Sequence, residues 1–242
     1  MAGLSRRFRE AGYALPKYML PLGEATCFDY AIASFEQCFA QEEFIFVIRD
    51  EASTADFVRH RCERLALKFT IIALATTTAG QAETVEMGID AADVAADRDI
   101  AIFNIDTFRP GYRPPSAASR GDGFLEVFEG DGNNWSFVEP RPSSACGVLR
   151  TTEKDPISRL CCTGLYYFSR ADDFRWALAR ERTSPGRRLR ELYVAPIYNH
   201  LIKAGRDIRF NLIDASAVVF CGVPEEYVRL RDNPLELPAL HR

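Results

Sequence analysis

The chain has 242 residues, 47% of them hydrophobic and 26% charged, with a formal net charge of -4. That is enough chain and enough apolar content for a full α/β core, which excludes a largely disordered protein. A mildly acidic balance offers no general attraction to nucleic acid, so an anionic ligand must be held by a local cluster of positive groups.

No apolar run approaches the roughly 18 residues of a membrane helix. The opening MAGLSRRFREAGY has no signal-peptide core. The reading is a cytoplasmic protein with neither a membrane nor a nucleic-acid partner. Seven cysteines are scattered without a CxxC pair, and His60, His200 and His241 do not stand at ligand spacing beside them. This argues against zinc and for buried free thiols in a reducing compartment.

In chain order, Gly3-Leu4-Ser5 comes first and runs into Arg6-Arg7-Phe8, with Leu15-Pro16-Lys17 close behind. A small-residue loop opening a helix aims backbone N–H groups at one point, where a phosphate can sit. Arg7 adds a forked pair of donors and Lys17 a compact charge. The alternative is a set of solvated basic groups near a terminus. FIFVIR (44–49) reads as a buried strand, followed by Asp50 and a helix over about 54–68, and FTIIALA (69–75) as the next strand. The loop TTTAG then leads into a helix over about 81–92. Gly80 there would let a flat ring approach the backbone, and Gln81 offers a donor and an acceptor to a nucleobase edge. A plain helix start with a polar first turn is the competing reading. IAIFNI (100–105) is the third strand and ends at Asp106. Ligands of open α/β sheets bind beyond such strand ends. Asp106 is therefore placed to hold Mg2+ against triphosphate oxygens, or else simply forms a turn.

Residues 109–134 are rich in Pro, Gly and Ser and read as loops. FLEVFEG, WSFVEP, ACGVLRTTE and CCTGLYYFS are shorter strands, with GDGNN as a turn. Glu153 and Lys154, at the end of the third of these, either grip a second, phosphorylated substrate or form a surface ion pair. Helices from about 171 and about 190, the strands DIRFNLI and AVVFCG, and a last helix in VPEEYVRLRD complete the pattern. Apolar strands alternating with helices predict an α/β fold with a parallel sheet covered on both faces. One domain is expected, with a nucleotide-binding amino-terminal part and a second-substrate part over about 110–242.

Six segments, AGLSRRF with PKYMLPL, GQAETV, FNIDT, EKDPIS, TGLYYF and FCGVPEEY, occur in an order and spacing that resemble the sugar-phosphate nucleotidyltransferase family. The resemblance is nearest to its capsule and lipopolysaccharide biosynthesis branch. It implies a Rossmann-like mixed, mostly parallel sheet with helices on both faces. It also implies an in-line displacement joining a nucleoside triphosphate to a small phosphorylated substrate, with release of pyrophosphate. On that basis Gly3, Leu4, Ser5, Arg6 and Arg7 cradle the triphosphate, and Lys17 neutralises charge on the reacting phosphates. Gly80 and Gln81 meet the base, Asp106 binds Mg2+, and Glu153, Lys154 and Asn199 face the second substrate. Catalysis would then be mostly positioning and charge neutralisation. Of the four lysines, at 17, 68, 154 and 203, two fall in matched motifs.

Two departures stand out. Relatives run an apolar strand into the glycine loop, whereas Met1 sits inside that motif here, so an upstream strand is expected. An extended form should then be more stable and more active. Relatives also place a second metal-binding Asp near the position of Phe220, and this chain has none there. A nucleotide-sugar glycosyltransferase is one rival, but such enzymes show Asp-x-Asp where Asn104-Ile105-Asp106 supplies one carboxylate. A non-catalytic nucleotide- or sugar-phosphate-binding protein is the other.

Overall fold

A computed structural model describes residues 1–49, 51, 53–185 and 191–240. The chain divides into two compact units that are interleaved in sequence. The first comprises residues 1–77, 104–114 and 216 onward; the second comprises 78–103 and 115–215. The carboxyl-terminal segment returns to the first unit, and the stretch carrying Gly80 and Gln81 belongs to the second.

The first unit opens with α1 (Arg6–Glu10), β1 (Pro21–Leu22), β2 (Ala25–Thr26) and α2 (Cys27–Ala33). It continues with β3 (Glu43–Arg49), α3 (Thr54–Arg64) and β4 (Lys68–Leu74). The chain then forms α4 (Gln81–Ala91) and β5 (Ile100–Phe103) in the second unit, and β6 (Thr107–Phe108) back in the first. The second unit resumes with α5 (Ala117–Arg120), β7 (Gly123–Glu129), β8 (Ser136–Pro140), β9 (Val148–Glu153) and β10 (Leu160–Phe168). It ends with α6 (Ala171–Arg182), α7 (Val194–Lys203) and β11 (Ile208–Ile213). Last come β12 (Val219–Phe220) and α8 (Pro224–Asp232), again in the first unit.

In the first unit β3 and β4 pair in parallel from Glu43↔Lys68 to Arg49↔Leu74. The helical crossover α3 is what a parallel pair requires. Phe46 and Ile48 of β3 pack with Phe28, Ile32, Val58 and Cys62 in one buried cluster. Helix α2 starts sharply because Asp29 accepts from the N–H (2.8 Å) and the hydroxyl (2.6 Å) of Thr26. Helix α3 stops at Arg64 rather than near 68. Ala66 takes a positive φ of 51° and turns the chain into β4. Among the described residues no other strand pairs with β3 or β4, and Met1 and Ala2 lie in none.

The second unit holds a six-stranded mixed sheet in the order β11-β7-β10-β8-β9, with β5 also on β10. β7 and β11 pair in parallel and the other pairs of this sheet are antiparallel. Helices α6 and α7 lie between β10 and β11 in sequence, and β11 then takes the place beside β7. Phe168, Phe174, Ala177, Tyr198 and Leu201 are buried in the core these helices share with the sheet. Each large apolar side chain buried there contributes about 1.5–3 kcal/mol. Phe168 stacks on Tyr198 at 4.3 Å between centroids, and the Tyr198 hydroxyl donates to the carbonyl of Tyr167 at 2.8 Å. Helix α7 begins at Val194; its expected start near Arg190 lies outside the described residues. Among the described residues no helix is long and apolar enough to cross a membrane.

Candidate active site

The expected phosphate loop sits at the start of the first unit. Ser5 takes a left-handed φ of 47°, and the chain enters α1 at Arg6. Nothing lies within 4 Å of where a Cβ on Gly3 would stand, so an incoming group meets bare backbone. Arg6 and Arg7 are exposed. Arg9 braces the loop by donating to the Leu4 carbonyl at 3.2 Å. The Ser5 hydroxyl accepts from the Lys17 N–H at 3.4 Å, which ties the loop to the segment carrying the lysine.

Lys17 and Asp106, 89 residues apart, form an ion pair whose side chains are 26% and 21% exposed. Burial alone would raise the Asp106 pKa. The Lys17 ammonium and its hydrogen bond outweigh that, and the carboxyl is held below its ordinary value. Asp106 does not end a strand. β5 stops at Phe103, and the Thr107 N–H bonds to the Asn104 carbonyl at 3.2 Å, so the aspartate lies in a turn. β12 braces this turn, with Phe220 paired to Thr107 and the Cys221 N–H on the Asp106 carbonyl at 2.8 Å. Beside the loop is a cleft of about 360 Å³ lined by Leu4, Arg6, Arg9, Glu10, Arg49 and Glu51. Arg49, at the end of β3, donates through Nε to Glu51 at 2.9 Å.

No three His, Cys, Asp or Glu side chains gather as a metal cage among the described residues. An ion that takes few ligands from the protein, such as Mg2+, needs no such cage. It takes one or two carboxylates and fills its other positions with phosphate oxygens and water. Asp106, beside an open loop and a lysine, is that kind of donor.

In the second unit Gly80 has a φ of 147°, and a Cβ there would stand 2.5 Å from the Leu192 backbone N and O. The close approach this glycine allows in the structure is that of the Leu192 backbone. The Ala82 N–H bonds to the Leu192 carbonyl at 2.9 Å, and the Leu192 N–H to the Ala79 carbonyl at 2.8 Å. Gln81 is thereby fixed as the first residue of α4. The neighbouring Tyr193 hydroxyl accepts from Lys154 Nζ at 2.7 Å and donates to Glu191 at 2.5 Å. Lys154 itself has a positive φ of 56°. Glu153 accepts from the Ser136 hydroxyl. Burial pushes its pKa up, against the opposing pull of that bond. Segment 191–193 thus brings Gln81, Glu153 and Lys154 into one part of this unit.

Asn199, expected to face the second substrate, stands on α7 against β9. Its Oδ1 accepts from the Thr151 N–H at 2.9 Å and its Nδ2 donates to the Thr151 carbonyl at 2.8 Å. Each end of the amide makes one bond to β9, which ties α7 to that strand.

No family model and no curated protein matches the chain. Solved structures do. The nucleoside-diphosphate-sugar pyrophosphorylase from Vibrio cholerae RC9 is 44% identical over 96% of this chain and 98% of that one, with a TM-score of 0.91. This chain belongs to the nucleoside-diphosphate-sugar pyrophosphorylase family of nucleotidyltransferases. Two more distant structures share its Rossmann-like mixed α/β fold. The inositol-1-phosphate CTP transferase from T. maritima is 12% identical, covering 99% of this chain and 95% of that one, at a TM-score of 0.72. UDP-glucose pyrophosphorylase complexed with UDP-glucose is 16% identical, covering 97% and 96%, at 0.73.

The sequence reading did not single out Arg49, beside Glu51 in the cleft, or Tyr193, beside Lys154. Arg49 and Tyr193 carry no local signal.

Proposed function

We propose that this nucleotidyltransferase joins a nucleoside triphosphate to a sugar phosphate or similar small phosphorylated substrate, in the cytoplasm, to make a precursor of a surface polysaccharide. The observation that carries the reading is the Lys17–Asp106 ion pair beside the open Gly3–Ser5 loop, in a chain of this family. An oxygen of the substrate phosphate bonds to the α-phosphorus of the nucleotide. The bond from that phosphorus to the bridging oxygen breaks, and pyrophosphate leaves with the electron pair.

Backbone N–H groups of Gly3, Leu4 and Ser5 hold the triphosphate, with Arg6 and Arg7 beside them. Lys17 releases Asp106 and places its ammonium on the reacting phosphates, where charge develops. Mg2+, held by Asp106 with phosphate oxygens and water, would supply further charge neutralisation. Gln81 reads the base edge. Lys154 meets the phosphate of the second substrate and Glu153 its hydroxyl groups. A partly buried ion pair suits this work, because its members are already oriented and exchange one partner for another.

The test is pyrophosphate release from ATP, CTP, GTP, UTP and dTTP, each with a set of sugar and polyol phosphates, with Mg2+ and after chelation. One nucleotide–phosphate pair is expected to release pyrophosphate well above background and to stop on chelation. Melting temperature is followed in parallel, since a ligand that binds the folded state raises it. A nucleotide-induced rise with no release from any pair would replace the enzyme reading by a non-catalytic binding protein.

A further inference from the structure

The bracing of Asp106 reaches beyond β12 into the first turn of α8. We infer that Glu226 is the residue that positions the Asp106 carboxylate, acting through Gly222; this rests on the nucleotidyl-transfer reading of Asp106 as the metal-binding group.

Glu226 Oε2 accepts from the N–H groups of Gly222 (2.8 Å) and Val223 (3.2 Å). Donors at a helix start have no partner within the helix, and Pro224 at the first helical position contributes none. One carboxylate oxygen therefore holds the turn between β12 and α8 in a single conformation. That turn presents two features to Asp106. The Cys221 N–H holds its carbonyl at 2.8 Å. The bare Cα of Gly222 lies against its carboxylate, where a Cβ would stand 3.0 Å from Oδ2 and 3.6 Å from Cγ. The helix is anchored in turn. The Tyr227 hydroxyl donates to the Pro21 carbonyl at 2.8 Å, and its ring meets Phe8 at 6.1 Å and Tyr13 at 5.3 Å edge-on. The residue that fixes Gly222 thus stands on a helix tied to α1 and to the approach to Lys17.

A glutamate can cap its own helix with no further role, and Gly222 separates the two cases. Its backbone is not among those with positive φ, so nothing in its conformation demands glycine. What a side chain there would press against is the Asp106 carboxylate, which would have to give by a few tenths of an ångström. The chain of contacts runs from Glu226 to Gly222 to Asp106, and it ends on the group proposed to hold the metal.

The experiment compares Glu226→Ala, Glu226→Gln, Gly222→Ala and the Glu226→Ala/Gly222→Ala double variant in the full chain. Mn2+ affinity is read by water-proton relaxation in the presence of a nucleotide whose α–β bridge cannot be cleaved. Melting temperature, kcat and KM are measured alongside. Glu226→Ala and Gly222→Ala should each weaken Mn2+ binding by roughly 10–100-fold, the range for loss of a group that orients a metal ligand. KM for the phosphorylated substrate should stay within about twofold. Glu226→Gln should recover most of the affinity, because the amide oxygen still accepts both N–H groups. The double variant should be no worse than either single one, since both act along one route. A Glu226→Ala protein that melts lower but binds Mn2+ as tightly as the parent would overturn the inference and leave a helix cap. So would a Gln variant as weak as the Ala variant, or full multiplication of the two effects in the double variant. Asp106→Asn separates the premises: if it binds Mn2+ like the parent, the metal-binding reading of Asp106 fails, and the inference with it, whereas the other outcomes strike Glu226 alone.

Discussion

Lys17–Asp106 in the first unit and Asn199–Thr151 in the second are both polar contacts made by residues the sequence singles out, and they differ in what they leave available. The ion pair joins two side chains, each partly exposed, next to a loop with open backbone. Either member can turn to a ligand. The Asn199 amide makes one acceptor bond and one donor bond to a single backbone residue, and turning away would strand both Thr151 groups. A polar residue that the sequence singles out is the more available for chemistry the more readily it can exchange its present partner.

That contrast can be broken first at the ion pair. Lys17→Ala and Asp106→Ala should each lower turnover by at least about a hundredfold, the size of one lost transition-state charge partner, while the protein stays folded. Steady-state rates with the best nucleotide pair check this, and a near-normal rate would remove that residue from the mechanism. Asn199→Ala should behave in the opposite way. Its loss should lower stability by about 1–3 kcal/mol in urea unfolding, from unpaired Thr151 groups, with KM for the phosphorylated substrate nearly unchanged. A large rise in KM at unchanged stability would make Asn199 a substrate contact after all.

Gln81→Ala tests the second unit more finely. It should relax base choice more than it slows the best nucleotide, with roughly 1–3 kcal/mol of discrimination lost. Rates falling equally for all nucleotides would show that another group reads the base.

The smallest effect is a pair of opposite pH slopes. The Asp106 pKa is depressed, so its stabilising contribution is present above the unfolded value of 3.8 and is lost as pH falls through the folded one. The Glu153 pKa is raised, so the folded chain holds an extra proton above 4.5, and stability declines as pH rises through that window. Urea unfolding across acid to neutral pH should show Asp106→Asn losing dependence on the acid side. Glu153→Gln should flatten the decline above 4.5. Identical slopes in both variants would contradict the two environments.

Much of the fold is legible in the chain. FIFVIR and FTIIAL are continuous apolar runs because β3 and β4 face apolar neighbours, and their pairing through α3 follows from length alone. The end of α3 is not legible, because the positive φ of Ala66 is set by the turn into β4 and not by its residue type. Gly80 shows the same limit from the other side. A glycine ahead of a helix announces a close approach, but not that the approaching group is Leu192, more than a hundred residues on in sequence.

Residue order by itself determined the alternation of strands and helices, the loop with its arginines and lysine, and the family those motifs indicate. These depend on periodicity and on short spacings, which are local properties of a chain. Only the tertiary structure decided that Asp106 meets Lys17, that Gly222 lies against its carboxylate, and that Asn199 is bonded to Thr151. Those contacts join distant parts of the chain. A buried polar atom takes whichever partner folding brings within about 3 Å, and no local pattern records which one that is.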